Sequence, residues 1–583
     1  MMPLSMPLSI PFCFFIPFFT YRVYRIEWAL VLACFLICAI ARGRARYWLR
    51  SLDSAIFAMG RKRRLAILVA GLLPMLVRAA LLPVMPIPEP SVHDEFSHLL
   101  LGDTFASARI TNPPHKLWHH FESIHIIQQP TYTSMYPPAL GLALAAGQVI
   151  AGNPWWGVWA STGLMCAATC WMLQAWLPDR WAFYGALLLG LRVGIYSFYM
   201  NSYFGGEVPG IGGALVLGAV PRLVGRQRPR DAVLLGAGLV ILANARPFES
   251  AFMGVAVCAV VALWLMRSVK VNFRRFARNA VLPAVAVLAA GGLATSYYCW
   301  RTTGNPLRLP YQVNRDTYGW PVHLALLPPV NVTHRHASMH NHYLFEMSTR
   351  AYYSTPKAFL TTTAVKIQTA WRFLFGPALT LPILFLPFAL RAPRLRYLAL
   401  AALIMMFAYL SELFLYPQYL GPILALLYAF TMQGMRCAYA WFSRKHPDFL
   451  FSVRVIPVIC ALMVCVRAFG GQWLRPVPFW DDPKQGHEHQ RALILNKLQH
   501  SPGLHLVIVR YSAEHNSHQE WVYNAADIDK SKVVWAREMD KASNQQLLKY
   551  FHGRHIWLLE ADNNPPRLLP YCQNREDFTT DSK

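Results

Sequence analysis

Long apolar runs repeat along most of this chain, and short basic clusters separate them. The runs lie at 65–85, 155–177, 181–199, 208–221, 231–245, 248–266, 279–299, 371–390, 397–415, 417–435 and 452–471. A backbone can cross hydrocarbon only as a helix that satisfies its own hydrogen bonds, or as a closed barrel. Runs of this length therefore predict a polytopic α-helical membrane protein with about 11–13 transmembrane helices. Composition agrees: 14% of the residues are charged, against about 25% in soluble chains. Several runs are short and rich in Gly and Pro, as happens where helices line a cavity rather than lipid.

The basic clusters set the expected orientation. They are Arg61 to Arg64, then Arg222, Arg226, Arg228 and Arg230, then 267–278, then Arg391, Arg394 and Arg396, then Arg436, Arg444 and Lys445. Cytoplasmic loops carry the excess of Lys and Arg. With these clusters inside, the loops 86–136 and 300–370 fall outside, with the C-terminal part from 472 on. Only 137–151 breaks the alternation, so it is expected as a short re-entrant or in-plane helix. The net charge of +26 reads as this topology signal, and no nucleic-acid partner is expected. The N-terminal hydrophobic and basic segment, 1–64, has apolar stretches at 8–19 and 26–41 with no basic residues before the first. It is expected as an extra hairpin or an interfacial helix, not a cleaved signal peptide.

Eleven cysteines are present, nearly all within apolar runs, with no CxxC or Cys/His metal spacing. Neither a disulfide framework nor a zinc cluster is expected. Residues 472–583 differ from the rest. Polar residues rise there, and apolar runs at 504–510, 532–536 and 555–560 alternate with helical patterns near 486–499 and 543–551. That pattern predicts a small extracytoplasmic α/β domain, which caps the membrane body or docks an acceptor.

The expected topology gathers unusual polar residues on one face. Asp94-Glu95 opens the first outer loop, and carboxylates that persist at a bilayer edge usually mark a working site. Tyr203, Gly205, Gly206 and Glu207 interrupt an apolar run, where the glycines expose backbone donors or allow close helix packing. Arg246-Pro247 and Glu249 form a turn between two runs. The 300–370 loop carries His334, His336, His340, His342 and Glu346, and Glu412 and Tyr419 sit in a later loop. The histidines suit a polar surface or a cavity wall. Their spacing matches no standard metal site, so no metal ligand is assigned.

A carboxylate on this face can deprotonate an acceptor hydroxyl, and an arginine can hold a phosphate in its planar fork. Together they suit glycosyl transfer from a polyprenyl-phosphate carrier. The motifs His93-Asp94-Glu95-Phe96 and Met135-Tyr136-Pro137-Pro138, around an amphipathic helix, resemble those of the GT-C glycosyltransferases over about residues 60–470. The likeness is to the bacterial relatives of protein O-mannosyltransferase and lipid A aminoarabinose transferase. It implies a GT-C-like catalytic body at 65–471 in a bacterial inner membrane. It also implies inverting transfer of a sugar to an envelope lipid, glycan or protein, with Asp94 as general base and Glu95 in support. Arg246 matches by location a family arginine that contacts donor phosphate, and Tyr203, Glu207 and Glu249 are taken with it as donor-site candidates. His336, His340, His342, Glu346 and Tyr419 are cavity candidates. No cofactor beyond the lipid-linked sugar is called for, and a divalent metal requirement is left open. Two other functions compete: a transporter or flippase of lipid-linked sugars, and a non-catalytic protein of envelope-glycan assembly.

Overall fold

The computed structural model describes residues 21–40, 43–267, 272–322, 324, 327–475 and 487–571. The apolar stretch expected at 8–19 lies outside the described residues. Among the described residues the body is helical, with a two-stranded sheet in the first polar loop and a four-stranded sheet near the C-terminus.

Helices Glu207–Arg226, Pro247–Arg267, Phe273–Thr303 and Pro447–Phe469 are long and apolar enough to cross a membrane. The most apolar window of Phe273–Thr303 is only 11% buried within the protein. So much outward apolar surface fits contact with lipid. Helix Pro138–Ala151 has 14 residues, a rise of about 21 Å against a hydrocarbon core of about 30 Å. It is too short to cross upright.

The apolar run at 371–390 does not form one helix, contrary to its reading as a single segment. Helix Pro356–Leu374 stops at Gly376, which sits in the left-handed region (φ 55°), and two short helices, Thr380–Leu384 and Leu386–Ala389, follow. Pro377, Pro382 and Pro387 supply the physical reason, because each removes an amide donor. The 181–199 run is likewise interrupted. Helix Asp179–Leu189 widens into a π turn, Gly190–Gly194. There Arg192 turns inward, and its Nη1 donates to both oxygens of Glu27 at 2.7 and 2.8 Å. Glu27 also accepts from the Ala378 amide at 3.1 Å, so helix Arg22–Ile40 is tied into the body.

Hydrogen bonds at the helix ends fix the order of the bundle. At one end, Arg63 donates to the Gln174 carbonyl at 3.2 Å and Arg222 to that of Trp171 at 2.7 Å. The basic clusters around residues 61–64 and 222–230 thus share one end. At the other end, Arg78 Nε donates to Asn201 Oδ1 at 2.7 Å, and Trp155 Nε1 to the Met200 carbonyl at 2.8 Å. Arg78 also donates to the Met85 and Pro86 carbonyls, which fixes how the first polar loop leaves its helix.

The C-terminal sheet runs, in spatial order, Val533–Arg537, His505–Arg510, His555–Glu560, Arg567–Pro570. The first three strands are parallel and the last is antiparallel. Helices His487–His500 and Lys541–Tyr550 complete the domain. Three strands fall where alternation predicts them. The fourth has only four residues, too few to show a period. Leu506, Ile508, Val534 and Phe551 share one hydrophobic cluster with Phe96, Leu100, Phe121 and Ile126 of the first polar loop. The domain is therefore packed onto that loop.

Candidate active site

Asp94 lies in the first turn of helix His93–Ala106. Its neighbour Glu95 holds that turn in place. Glu95 Oε2 accepts from the Ser91 amide at 2.7 Å and the Ser91 hydroxyl at 2.9 Å, and Oε1 accepts from the Tyr203 amide at 2.9 Å. One buried carboxylate thus ties the helix start to the 201–206 segment. Glu95 does not line the cavity: its oxygens are spent on the Ser91 and Tyr203 amides and the Ser91 hydroxyl.

Tyr136 donates its hydroxyl to Asp94 Oδ1. His125 Nδ1 lies 2.7 Å from the same oxygen. Asp94 Oδ2 has no hydrogen-bond partner among the described residues, and the side chain is 29% exposed. His125 has a φ of 62°, a conformation that a non-glycine residue adopts only where the surroundings impose it. The Ser97 hydroxyl donates to the His125 carbonyl at 2.7 Å, and the Met135 amide donates to it at 3.1 Å. His98 stacks on Tyr136 with ring centroids 4.1 Å apart. Burial opposes charge on Asp94, but His125, then His93 and the Tyr136 hydroxyl, outweigh it. Together they hold its carboxyl well below the usual carboxylate range. Burial, reinforced by neighbouring rings, pushes the imidazoles of His93 and His342 well below their ordinary value.

Asp94 opens into a cavity of about 770 Å³. Arg246 lies on the same cavity. Its guanidinium sits 4.0 Å from the centroid of the Tyr419 ring, and Nη1 is 3.8 Å from Glu249 Oε1. Neither contact is a hydrogen bond, and among the described residues no acceptor takes the guanidinium protons. Phe204, Phe248, Leu309, Leu324, Phe345 and Phe414 make much of the wall apolar. Glu346 also faces the cavity, and burial raises its carboxyl to about 7.

Of the residues singled out from sequence, His93, Asp94, Tyr136, Arg246, Pro247, Glu249, His342, Glu346, Glu412 and Tyr419 meet at this cavity. The others do not. Tyr203 is buried with its hydroxyl on the Pro88 carbonyl at 3.0 Å. Glu207 is buried at the start of its helix, and neither carboxylate oxygen has a hydrogen-bond partner among the described residues. His336 Nε2 lies 2.9 Å from the His119 carbonyl and 3.2 Å from Glu122. His340 is exposed and 3.4 Å from His334. Gly205 and Gly206 serve packing: a Cβ at either would meet Leu140 or the ring of Tyr199. His98, His125 and His518 line the cavity without having been picked out. Single histidines in polar stretches carry no pattern, and His518 comes from the C-terminal domain.

No family model and no curated protein matches the chain. Among solved structures it is similar to ArnT from Cupriavidus metallidurans in the apo state. Identity is 13% and the TM-score 0.46, over 84% of this chain and 92% of that chain. It is also similar to the Archaeoglobus fulgidus oligosaccharyltransferase in complex with Zn and sulfate, at 10% identity and TM-score 0.43, over 76% of this chain. A third similarity is to AglB of the same organism with an inhibitory peptide and a dolichol-phosphate, at 9% identity and TM-score 0.41, over 75% of this chain. The chain spans 60% and 62% of the length of those two archaeal chains.

Proposed function

We propose that this protein is a membrane glycosyltransferase that moves a sugar from a polyprenyl-phosphate donor to an envelope acceptor. The observation that carries the reading is the pairing of two groups on one largely apolar cavity: the oxygen of Asp94 and the guanidinium protons of Arg246 that have no hydrogen-bond partner among the described residues, the latter beside the Glu249 charge. Arg246 receives the donor phosphate, since its planar fork matches phosphate oxygens. The apolar wall takes the first isoprene units. The acceptor hydroxyl donates to Asp94 Oδ2, while Tyr136 and His125 keep Oδ1 occupied.

The reaction is one displacement. The acceptor oxygen forms a bond to the anomeric carbon as the bond from that carbon to phosphate oxygen breaks, and the electron pair leaves with the phosphate. A carboxylate is a weak base toward a free hydroxyl. Proton transfer to Asp94 therefore comes late, once the new bond has made the acceptor oxygen acidic. The configuration inverts, and no covalent intermediate is needed.

The test compares Asp94→Asn with the wild type in membranes, reading envelope glycans and lipid-linked sugars by mass spectrometry. Losing a positioned base typically costs about 10²–10⁴-fold in rate, so transfer should fall by that much while the protein still inserts. Normal transfer by the variant would remove Asp94 from the mechanism. Sugar movement across vesicles with no change in any glycan would favour a transporter.

A further inference from the structure

Far from the cavity, helix Arg44–Arg61 rests on turns that lie at one end of the bundle. Near its start, Arg46 Nη1 is 3.0 Å from Asp448 Oδ1, in the turn just after helix Leu424–Lys445. In its middle, Asp53 Oδ2 accepts from the Tyr439 hydroxyl at 3.2 Å and lies 3.4 Å from Arg454 Nε. In its last turn, Gly60 packs so closely on Arg180 that a Cβ would meet the Arg180 backbone. Asp179, next to it, pairs with Arg63 at 3.2 Å. Both ends of the helix are therefore held where the basic clusters gather. Its 18 residues rise about 27 Å, so it runs across that end of the bundle and not along it.

The sides of this helix differ. Leu49, Asp53, Ile56, Phe57 and Gly60 are buried against the body. At about 100° per residue, Trp48, Leu52 and Met59 fall on one flank of that buried side, and Arg50, Ser54 and Arg61 fall on the flank opposite. Trp48 is 72% exposed and Leu52 39%. Arg50, Arg61 and the next residue, Lys62, are exposed and form no ion pair among the described residues. An apolar flank opposite a cationic one, with a protein body to the side, is the arrangement of a helix lying in a membrane boundary. The apolar flank meets acyl chains, and the long basic side chains reach headgroup phosphates. A tryptophan ring suits that level. The preceding helix, Arg22–Ile40, exposes Leu32, Leu36 and Ile37, so a lipid-facing surface adjoins it. We propose that helix Arg44–Arg61 lies in the membrane boundary and binds anionic phospholipid headgroups through Arg50, Arg61 and Lys62. Unpaired cations favour a lipid of net negative charge over a zwitterionic one, and the guanidinium forks match phosphate oxygens. The surface stands on these contacts alone, whether or not the reaction proposed above is correct.

The test titrates the full chain in detergent with phosphatidylglycerol or with phosphatidylcholine of the same acyl chains, and counts bound lipid by native mass spectrometry. Wild type should bind phosphatidylglycerol more tightly, and added salt should shrink the preference, because exposed charges are screened. Arg50→Gln/Arg61→Gln should lose about fivefold of the preference for each charge removed, at an unchanged elution volume. Arg394→Gln/Arg396→Gln, which removes two exposed charges from another basic cluster, should keep it. Trp48→Ala/Leu52→Ala should weaken both lipids alike. The proposal is overturned if wild type binds the two lipids equally, which would leave this face to a protein partner. It is also overturned if the preference ignores salt, or if the Arg394/Arg396 variant loses as much of it as the Arg50/Arg61 variant. If the latter does not fold, Arg50→Gln alone decides.

Discussion

Asp94 carries both of its hydrogen-bonding neighbours on one oxygen, and this asymmetry defines what the side chain can do. Oδ1 is spent on holding the carboxylate, and Oδ2 is left for a substrate. Tyr136→Phe removes one of the two anchors without removing the carboxylate. Losing a hydrogen bond to a charged group costs about 1.5–3 kcal/mol, so the rate should fall by about 10–100-fold, with little change in apparent donor affinity. A steady-state comparison of kcat and KM checks this, and a fall confined to KM would contradict it. Arg246 makes a different demand. Its grip on Tyr419 is a stacking contact, and a planar fork is what a phosphate needs. Arg246→Lys keeps the charge and loses both, so the donor KM should rise about tenfold or more, as at other sites where the two residues do not interchange. An unchanged donor KM would place the phosphate elsewhere. Asp94 and Arg246 were visible in the sequence because a carboxylate pair and an Arg-Pro turn stand out at the ends of apolar runs. The meeting of the His93, His125 and His342 rings was not. They come from three segments, and no spacing links positions 93, 125 and 342. The resemblance cast Glu95 as support for Asp94, but the sequence could not show what Glu95 holds. Only the fold shows that Glu95 meets the Ser91 and Tyr203 amides.

At the scale of elements, the site depends on helices that approach closely. Helix Pro138–Ala151 crosses helix Trp155–Trp176 at Gly157, where a Cβ would collide with the Ala143 carbonyl. Helix Glu207–Arg226 meets Pro422 at Gly213 in the same way. Neither carbonyl can move without its helix or turn. Gly213→Ala should therefore push the Pro417–Ile423 turn away from its neighbour and carry Tyr419, the ring under Arg246, with it. Overpacking of this kind costs about 1–3 kcal/mol. The expected outcome is a lower thermal midpoint in detergent, together with a higher donor KM. Gly254→Ala, which meets open space, should change neither. The apolar runs foretold most of these helices, because lipid-facing and cavity-facing surfaces are both apolar. They could not show the breaks at 371–390 or at Gly190–Gly194. There proline and a buried Arg192–Glu27 pair decide the path, and hydropathy does not register either.

At the scale of the whole molecule, one guanidinium joins three parts of the chain. Arg537, at the end of a C-terminal strand, donates through Nε to the Glu122 carbonyl at 2.7 Å and through Nη1 to the Ser338 hydroxyl at 2.7 Å. Its Nη2 meets the buried Glu520 carboxylate. Glu122 in turn accepts from the Tyr318 hydroxyl at 3.1 Å and from Arg335 at 2.9 Å. The C-terminal domain is thus locked onto both polar loops, and it places His518 on the cavity. The alternation of residues 504–560 made the domain legible as α/β, but nothing in it marked the docking face, since Leu506 and Ile508 would be buried by any partner. Arg537→Lys cannot reach all three acceptors, and it leaves Glu520 with a poorly matched partner. Breaking a buried pair costs about 3–5 kcal/mol, far more than the roughly 1 kcal/mol expected of Ser338→Ala. Hydrogen exchange should then speed up in two places together: the strand His505–Arg510 and the helix His93–Ala106, which share a hydrophobic cluster. Faster exchange in the strand alone would mean that the domain opens without disturbing Asp94, and the cavity would then keep its shape when the domain is loosened.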